Sequence, residues 1–438
     1  MENHQFKQYN LQPWIDGVID NLQFKEPTPI QQKVIPAVLR GESVIGQSHT
    51  GSGKTHAFLL PLCSRLDVNK QEVQIVITSP TRELATQIHN EVKKILAFSN
   101  QEDKINAKLF IGGTDKKRMI EKLKGQQPQI VVGTPGRILD LIEEGALDIY
   151  TAQGFVIDEA DLMLDLGLIT EIDKMLVRAQ ESIQVLVFSA TIPERLHPFL
   201  TKYLHNPSSF HIKDHFAPEK IEHRLVPLRH REPADVIYQI SEVINPYLVL
   251  IFTNGKEAAN KLYKQLQEKG IKTGLIHGGL QARERKRVLK EIQSLRYQYI
   301  VATDLAARGI DIKGISHVIN AQMPKEEEFY IHRVGRTARA GMEGTAINLY
   351  DDSDVNLIQK LTKRGLSFTT FDIVKGEWKE IKAWNERSQR KQTGTTTDQE
   401  AWNRVRKTKK VKPGYKKKMR YEQQKLKKRI NQKQNKRS

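Results

Sequence analysis

The sequence predicts an α/β chain: two tandem domains, each a parallel sheet flanked by helices, followed by a flexible basic tail. Three observations predict it. Short apolar, β-branched runs recur along the 438 residues and alternate with segments of helical period. These runs form two sets, separated by a Pro- and His-bearing stretch over residues 206–233. Nearly every run ends in a cluster of Gly, Pro, Thr, Arg or Asp, as ligand loops at the carboxyl edge of an open sheet do.

In chain order, the first set of strands is expected at 73–78, 129–132, 154–157 and 184–188, with helices at 85–98 and 115–124. The second set is expected at 247–252, 273–276, 297–301, 317–319 and 345–349, with helices at 256–268 and 282–294. A boundary near residue 215 divides the chain into domains at 1–214 and 215–375, then a linker and tail at 376–438. The strand–helix pattern fades after about Phe371, and residues 389–400 are polar and low in complexity.

Composition excludes several classes. With one cysteine, Cys63, no disulfide framework and no cysteine-based zinc site can form, which fits a reducing compartment. Cys63 itself falls on an apolar helix face and reads as core. Residues 1–10 hold no apolar segment, and no apolar run approaches the roughly 18 residues a bilayer span needs, so a cytoplasmic, non-membrane protein is expected. His205, His211, His215, His223 and His230 are irregularly spaced and lack further ligands, so they read as no metal site.

The net charge of +19 is unevenly placed. Residues 401–438 hold seventeen lysines and arginines against one acid, Glu422, a net +16 that leaves only +3 for the rest of the chain. Such a tail suits a polyanion bound through salt-sensitive phosphate contacts, where the alternative is a merely solvated arm. Trp402, Tyr415 and Tyr421 lie among these charges, where they could stack on bases or pack on nothing.

The strongest local signal is the run Ser48, His49, Thr50, Gly51, Ser52, Gly53, Lys54 and Thr55, which follows the apolar pair Val44 and Ile45. Its glycines let backbone N–H groups curl around phosphate oxygens. Lys54 reaches the β and γ phosphates, and the Thr55 hydroxyl can ligate Mg²⁺. Asp158 ends the apolar run Phe155, Val156 and Ile157, where a carboxylate can hold Mg²⁺ partly through water, and Glu159 beside it can orient and deprotonate an attacking water. In the second half, His332, Arg333, Arg336 and Arg339 fall within eight residues. They read as a solvated face or as arginine fingers that make hydrolysis depend on domain closure.

These elements resemble the DEAD-box RNA helicases from Phe6 to about residue 350, with the tetrapeptide Asp158, Glu159, Ala160 and Asp161 intact. The resemblance implies two RecA-like domains, ATP and Mg²⁺ as cofactors, and an RNA partner. It implies that Gln31 hydrogen-bonds adenine, that Phe24 stacks on it, and that Phe6 is the outlying aromatic of the same element. Pro80, Thr81, Arg82, Gly112, Gly113, Thr134, Gly136 and Arg137 match the first domain's grip on the RNA backbone. Phe252, Thr253, Gly278, Gly279, Arg285 and Thr303 match the second domain's. By the same resemblance Ser189 and Thr191 link hydrolysis to strand separation, and Asp304, Arg308, His332 and Arg333 couple the domains. Asp311 approaches the ribose, and Arg336 and Arg339 approach the γ-phosphate. Backbone amides and arginines grip phosphates without reading bases, and the family's preference for RNA comes from 2′-OH contacts.

Four positions depart from the family pattern: Ser48 at the loop's usual Gly or Ala, His49 at a common Gln, Ala282 at an expected Gln, and Ala338 at the usual Gly between the two finger arginines. The basic tail and His49 resemble a bacterial cold-shock subgroup. That implies structured RNA at low temperature, with ribosomal particles, RNA-decay proteins or cold-shock proteins as partners. Against the RNA-stimulated ATPase stand two other readings, an ATP-gated RNA clamp and an RNA chaperone acting through its tail.

Overall fold

The computed structural model describes residues 5–48, 51–212, 221–307, 312, 314–338, 343–385, 419, 421 and 423–426. Its strands are β1 (Val44–Gln47), β2 (Ile75–Thr78), β3 (Ala107–Phe110), β4 (Ile130–Gly133), β5 (Gly154–Ile157), β6 (Gln184–Ser189) and β7 (Ser208–His211) in the first half. The second half holds β8 (Ile221–Pro227), β9 (Val249–Thr253), β10 (Thr273–Ile276), β11 (Tyr299–Thr303), β12 (His317–Asn320), β13 (Gly344–Tyr350), β14 (Phe368–Val374) and β15 (Glu377–Glu380). They form a seven-stranded sheet, β3-β4-β2-β5-β6-β1-β7, and an eight-stranded sheet, β10-β11-β9-β12-β13-β8-β14-β15. Every pairing is parallel except β14 with β15.

Parallel strands covered on both faces must be apolar on both sides. In β2, Ile75 and Ile77 join one core while Val76 joins the other. In β9, Val249 and Ile251 face one core while Leu250 and Phe252 face the second. Cys63 is fully buried in the first domain's core, where burial pushes its thiol up to about 12.

The expected strands all form. Six others carry too little apolar run to stand out: β1, noted only as the pair Val44 and Ile45, and β3, β7, β8, β14 and β15. The pattern read as fading after Phe371 continues to Glu380, past the expected domain limit at 375. The reason is tertiary. The Arg224 guanidinium of β8 lies 5.0 Å from both the Phe371 and Trp378 ring centroids, so a cation between two rings holds the last hairpin to the sheet. His223, in the boundary stretch, is buried with Nδ1 2.7 Å from the Tyr330 hydroxyl, and burial lowers its pKa to about 4. Tyr421 is exposed; Trp402, Tyr415 and most of the basic tail lie outside the described residues. No helix among the described residues is long and apolar enough to cross a membrane.

Candidate active site

The reactive loops leave the carboxyl ends of the strands, as parallel topology requires. After β1 the chain turns through Gly51 and Gly53, with φ of 90° and 96°, into the helix Lys54–Ser64. Gly53 has no alternative. A Cβ there would stand 2.8 Å from both Gln31 Nε2 and Thr28 Oγ1. Gln31 therefore locks onto the loop: its Nε2 donates to the Gly53 carbonyl at 3.2 Å, while its Oε1 accepts from the Thr28 N–H at 2.9 Å. Ser48 and Ser52 hydroxyls meet at 2.8 Å, so the serine at the loop's first position is held by the loop itself. Thr55 follows Lys54 and is half-buried; His49 and Thr50 lie outside the described residues.

Lys54 is buried, with Nζ donating to the Ser48 carbonyl at 3.1 Å and standing 3.4 Å from Glu159 Oε1. Burial alone would disfavour its charge, but the combined field of Glu159, Asp158 and Asp161 prevails and raises its pKa. Asp158 feels the opposite balance: burial, then the neighbouring Glu159 charge, push its carboxyl up to about 7 against the pull of Lys54. Three carboxylates thus act on one lysine. They form no ready-made metal cluster among the described residues, but the hard oxygens of Asp158 and of the Thr55 hydroxyl are donors of the kind a hard divalent cation takes. Glu159 holds φ 53°, a left-handed conformation that a non-glycine residue occupies at a cost of about 1–3 kcal/mol.

Asp161 is the junction of the site. Its carboxylate accepts from the Thr191 N–H at 3.1 Å and the Thr191 hydroxyl at 3.0 Å, and its own N–H donates to Ser189 Oγ at 3.0 Å. From the second domain, His332 Nε2 comes within 3.4 Å of the same carboxylate. A second interdomain contact joins Arg285 Nε to Glu83 Oε1 at 2.5 Å, and Arg285 also donates to the Ala306 carbonyl at 3.2 Å.

Arg333 is almost fully buried, and all five guanidinium N–H groups are used. Nε and Nη2 donate to Asp304 at 2.5 and 2.7 Å, Nη2 also to Asn254 Oδ1 at 2.7 Å, and Nη1 to Asn320 Oδ1 at 3.0 Å and the Gln322 carbonyl at 2.7 Å. Arg336 is buried on the turn that follows. Arg308, Asp311 and Arg339 lie outside the described residues.

The expected backbone-gripping residues gather in two places. In the first domain, Pro80 is buried and Thr81 caps the helix Arg82–Phe98, accepting from the Leu84 N–H at 3.2 Å. The Arg82 guanidinium lies against Gly112 and Gly113, where a Cβ on either would stand 2.8 Å from an Arg82 nitrogen. Arg137 donates to the Thr114 carbonyl at 3.3 Å, Thr134 precedes the helix Pro135–Glu143, and Gly136 in its first turn leaves open space. In the second domain, Thr253 and Thr303 end adjacent strands in register, and the Gly279 N–H donates to His277 Nδ1 at 3.0 Å. Thr253 Oγ1 is buried without a hydrogen-bond partner among the described residues.

The DEAD/DEAH box helicase family matches residues 28–199, and the helicase conserved C-terminal domain matches residues 233–341. The chain is 52% identical to the DEAD-box ATP-dependent RNA helicase CshB of Bacillus subtilis over 98% of both chains. This chain belongs to the DEAD-box helicases. It is 49% identical to CshB of Bacillus cereus over 99% of this chain and all of that one. Among solved structures, Saccharomyces cerevisiae Dbp5 bound to RNA and ADP BeF3 superposes with a TM-score of 0.76 at 28% identity, covering 84% of this chain and 95% of that one. The DEAD-box helicase Mss116 bound to ssRNA and UDP-BeF gives 0.74 at 25% identity, covering 92% and 86%.

The sequence alone gives no role to three residues of this DEAD-box helicase's junctions: Asp161 and Glu83, which it shows only as members of motifs, and Asn320 in the Arg333 pocket. The signals were slight, since Asp161 closes the tetrapeptide and Glu83 stands in the run after Arg82. Ala338 explains one departure. It holds φ 56°, the left-handed region where glycine is free of strain. Ala338→Gly is therefore expected to stabilise the second domain by about 0.5–1 kcal/mol, read as a rise of ~2 °C in its unfolding midpoint. A lowered midpoint would mean that packing of the Ala338 methyl outweighs the strain.

Proposed function

We propose that this DEAD-box helicase is an RNA-stimulated ATPase that locally opens short or structured RNA duplexes. The observation that carries this reading is Asp161. One carboxylate beside the nucleotide loop holds Thr191 and meets His332 of the other domain, so events at the phosphates and the position of the second domain report to the same group.

In this reading, Lys54 and the N–H groups of the loop from Ser48 to Thr55 hold the phosphates, while Phe24 and Gln31 hold the adenine. Thr55 and Asp158 would hold Mg²⁺, Asp158 partly through water; when bound, the ion offsets charge on the β and γ phosphates. Glu159 orients and deprotonates the attacking water. Arg336 and Arg339 stabilise charge on the transferring phosphoryl group, and Asp311 meets the ribose. Arg82, Gly113, Thr134 and Arg137 grip RNA phosphates from one domain, and Thr253, Gly279 and Thr303 from the other; the orphaned Thr253 hydroxyl suits a phosphate or 2′-OH partner. Arg285, held by Glu83, ties the two grips together. Closure of the cleft then bends one strand and expels its complement, and hydrolysis reopens it.

The reading extends to a first domain at 1–214 and a second from 215 that takes in the last hairpin to Glu380, with the linker and basic tail beyond it as a phosphate tether that raises the local concentration of structured RNA. It places the protein in the cytoplasm, where its one cysteine stays reduced, and its targets among RNAs structured at low temperature, in ribosomal particles or decay assemblies. The test is ATP hydrolysis by the purified chain alone, with RNA, and with matched single-stranded DNA. RNA alone is expected to stimulate. Equal rates in all three would refute an RNA-sensing cleft and leave the tail to act as a chaperone.

A further inference from the structure

One side chain in the adenine corner belongs to none of the elements above. His56 stands one residue beyond Thr55 on the helix Lys54–Ser64. Its ring meets Phe24 edge-on, with centroids 4.9 Å apart and planes at 85°. Phe24 is also stacked on Phe6, at 6.2 Å and 25°, and Phe6 is fully buried. Phe24 itself is half-buried, packs against the first domain's core and lies in an irregular segment between helices, where side-chain neighbours rather than a regular backbone set its ring. On its other side, His56 Nε2 lies 3.5 Å from Glu91 Oε2, on the helix Arg82–Phe98, and Lys94 binds the other Glu91 oxygen at 2.7 Å. The chain of contacts runs from the Arg82–Phe98 helix, through Glu91 and His56, to the edge of the Phe24 ring.

We propose that His56 is a positioning residue for the nucleotide base: it sets the Phe24 ring in its stacking orientation and is itself set by Glu91. The inference rests on the assignment of Phe24 to the adenine. Because the base is remote from the reacting phosphoryl group, the brace contributes binding that ground state and transition state share, so its loss falls on affinity and KM and spares kcat.

Calorimetry on the full chain, with ADP and with inorganic tripolyphosphate, tests it. His56→Ala is expected to weaken ADP about threefold to tenfold, the worth of one edge-to-face ring pair. Tripolyphosphate, which has no base, is expected to bind as before. In RNA-stimulated hydrolysis the KM for ATP rises by the same factor, with kcat within about twofold. His56→Phe, which keeps a ring at this position, is expected to retain most of the ADP affinity. Equal weakening of ADP and tripolyphosphate by His56→Ala would overturn the proposal, since the damage would then lie in the phosphate loop. Wild-type ADP affinity in His56→Ala, alongside a weakened Phe24→Leu, would overturn it too. If Phe24→Leu itself binds ADP normally, the adenine assignment fails first.

Discussion

Lys54→Ala is expected to abolish RNA-stimulated phosphate release, lowering it at least ~10³-fold, and to remove measurable ADP binding. The lysine is buried at the loop, 3.1 Å from the Ser48 carbonyl and 3.4 Å from Glu159. Its charge survives burial only because three carboxylates surround it. Phosphate-release kinetics with saturating RNA, beside calorimetry with ADP, read the effect. RNA binding through the remaining surfaces should persist, which separates loss of chemistry from loss of fold. A normal RNA-stimulated rate in this variant would sink the assignment of the nucleotide site.

Arg333→Lys is expected to be the most damaging conservative change in the second domain. The guanidinium spends five N–H groups on Asp304, Asn254, Asn320 and the Gln322 carbonyl, and its plane lies 5.2 Å from the Phe252 ring centroid. An ammonium offers three donors from a single point and cannot match that fork. Buried acceptors are left unpaired, and a broken buried pair costs about 3–5 kcal/mol. In a domain of this size that lowers the unfolding midpoint by about 10 °C or more, measured by calorimetry. Arg333 is tied to Asp304 and Arg336 is buried on the next turn, so hydrolysis is expected to fall even where the variant still folds. A midpoint within about 2 °C of the parent would show that solvent enters the pocket and satisfies these groups.

The loop and the acidic strand end were legible as local structure because backbone chemistry leaves few choices there. Gly51 and Gly53 stand where φ is positive, and Asp158 stands where a buried strand ends. Helix limits were legible for the same reason: the segment expected at 256–268 is the helix Lys256–Glu268. Strand β8 was not legible, because Glu222, His223 and Arg224 interrupt its apolar residues. It becomes a strand through registry with β13 on one side and β14 on the other. The last hairpin is held by β8 through the β14 ladder and through Arg224, more than 140 positions away from Phe371 and Trp378.

The sequence by itself determined the two-domain α/β plan, the nucleotide loop, the acidic strand end and the polycationic tail. Each follows from period, composition or spacing within a few residues, where chain geometry is nearly rigid. Tertiary structure alone decided the pairings: Asp161 with Thr191 and His332, Glu83 with Arg285 across 202 residues, His56 between Phe24 and Glu91, and Arg333 among its acceptors. Those contacts join groups on separate elements. Their partners are chosen by how sheets and helices pack, and that packing depends on the summed burial of the whole core.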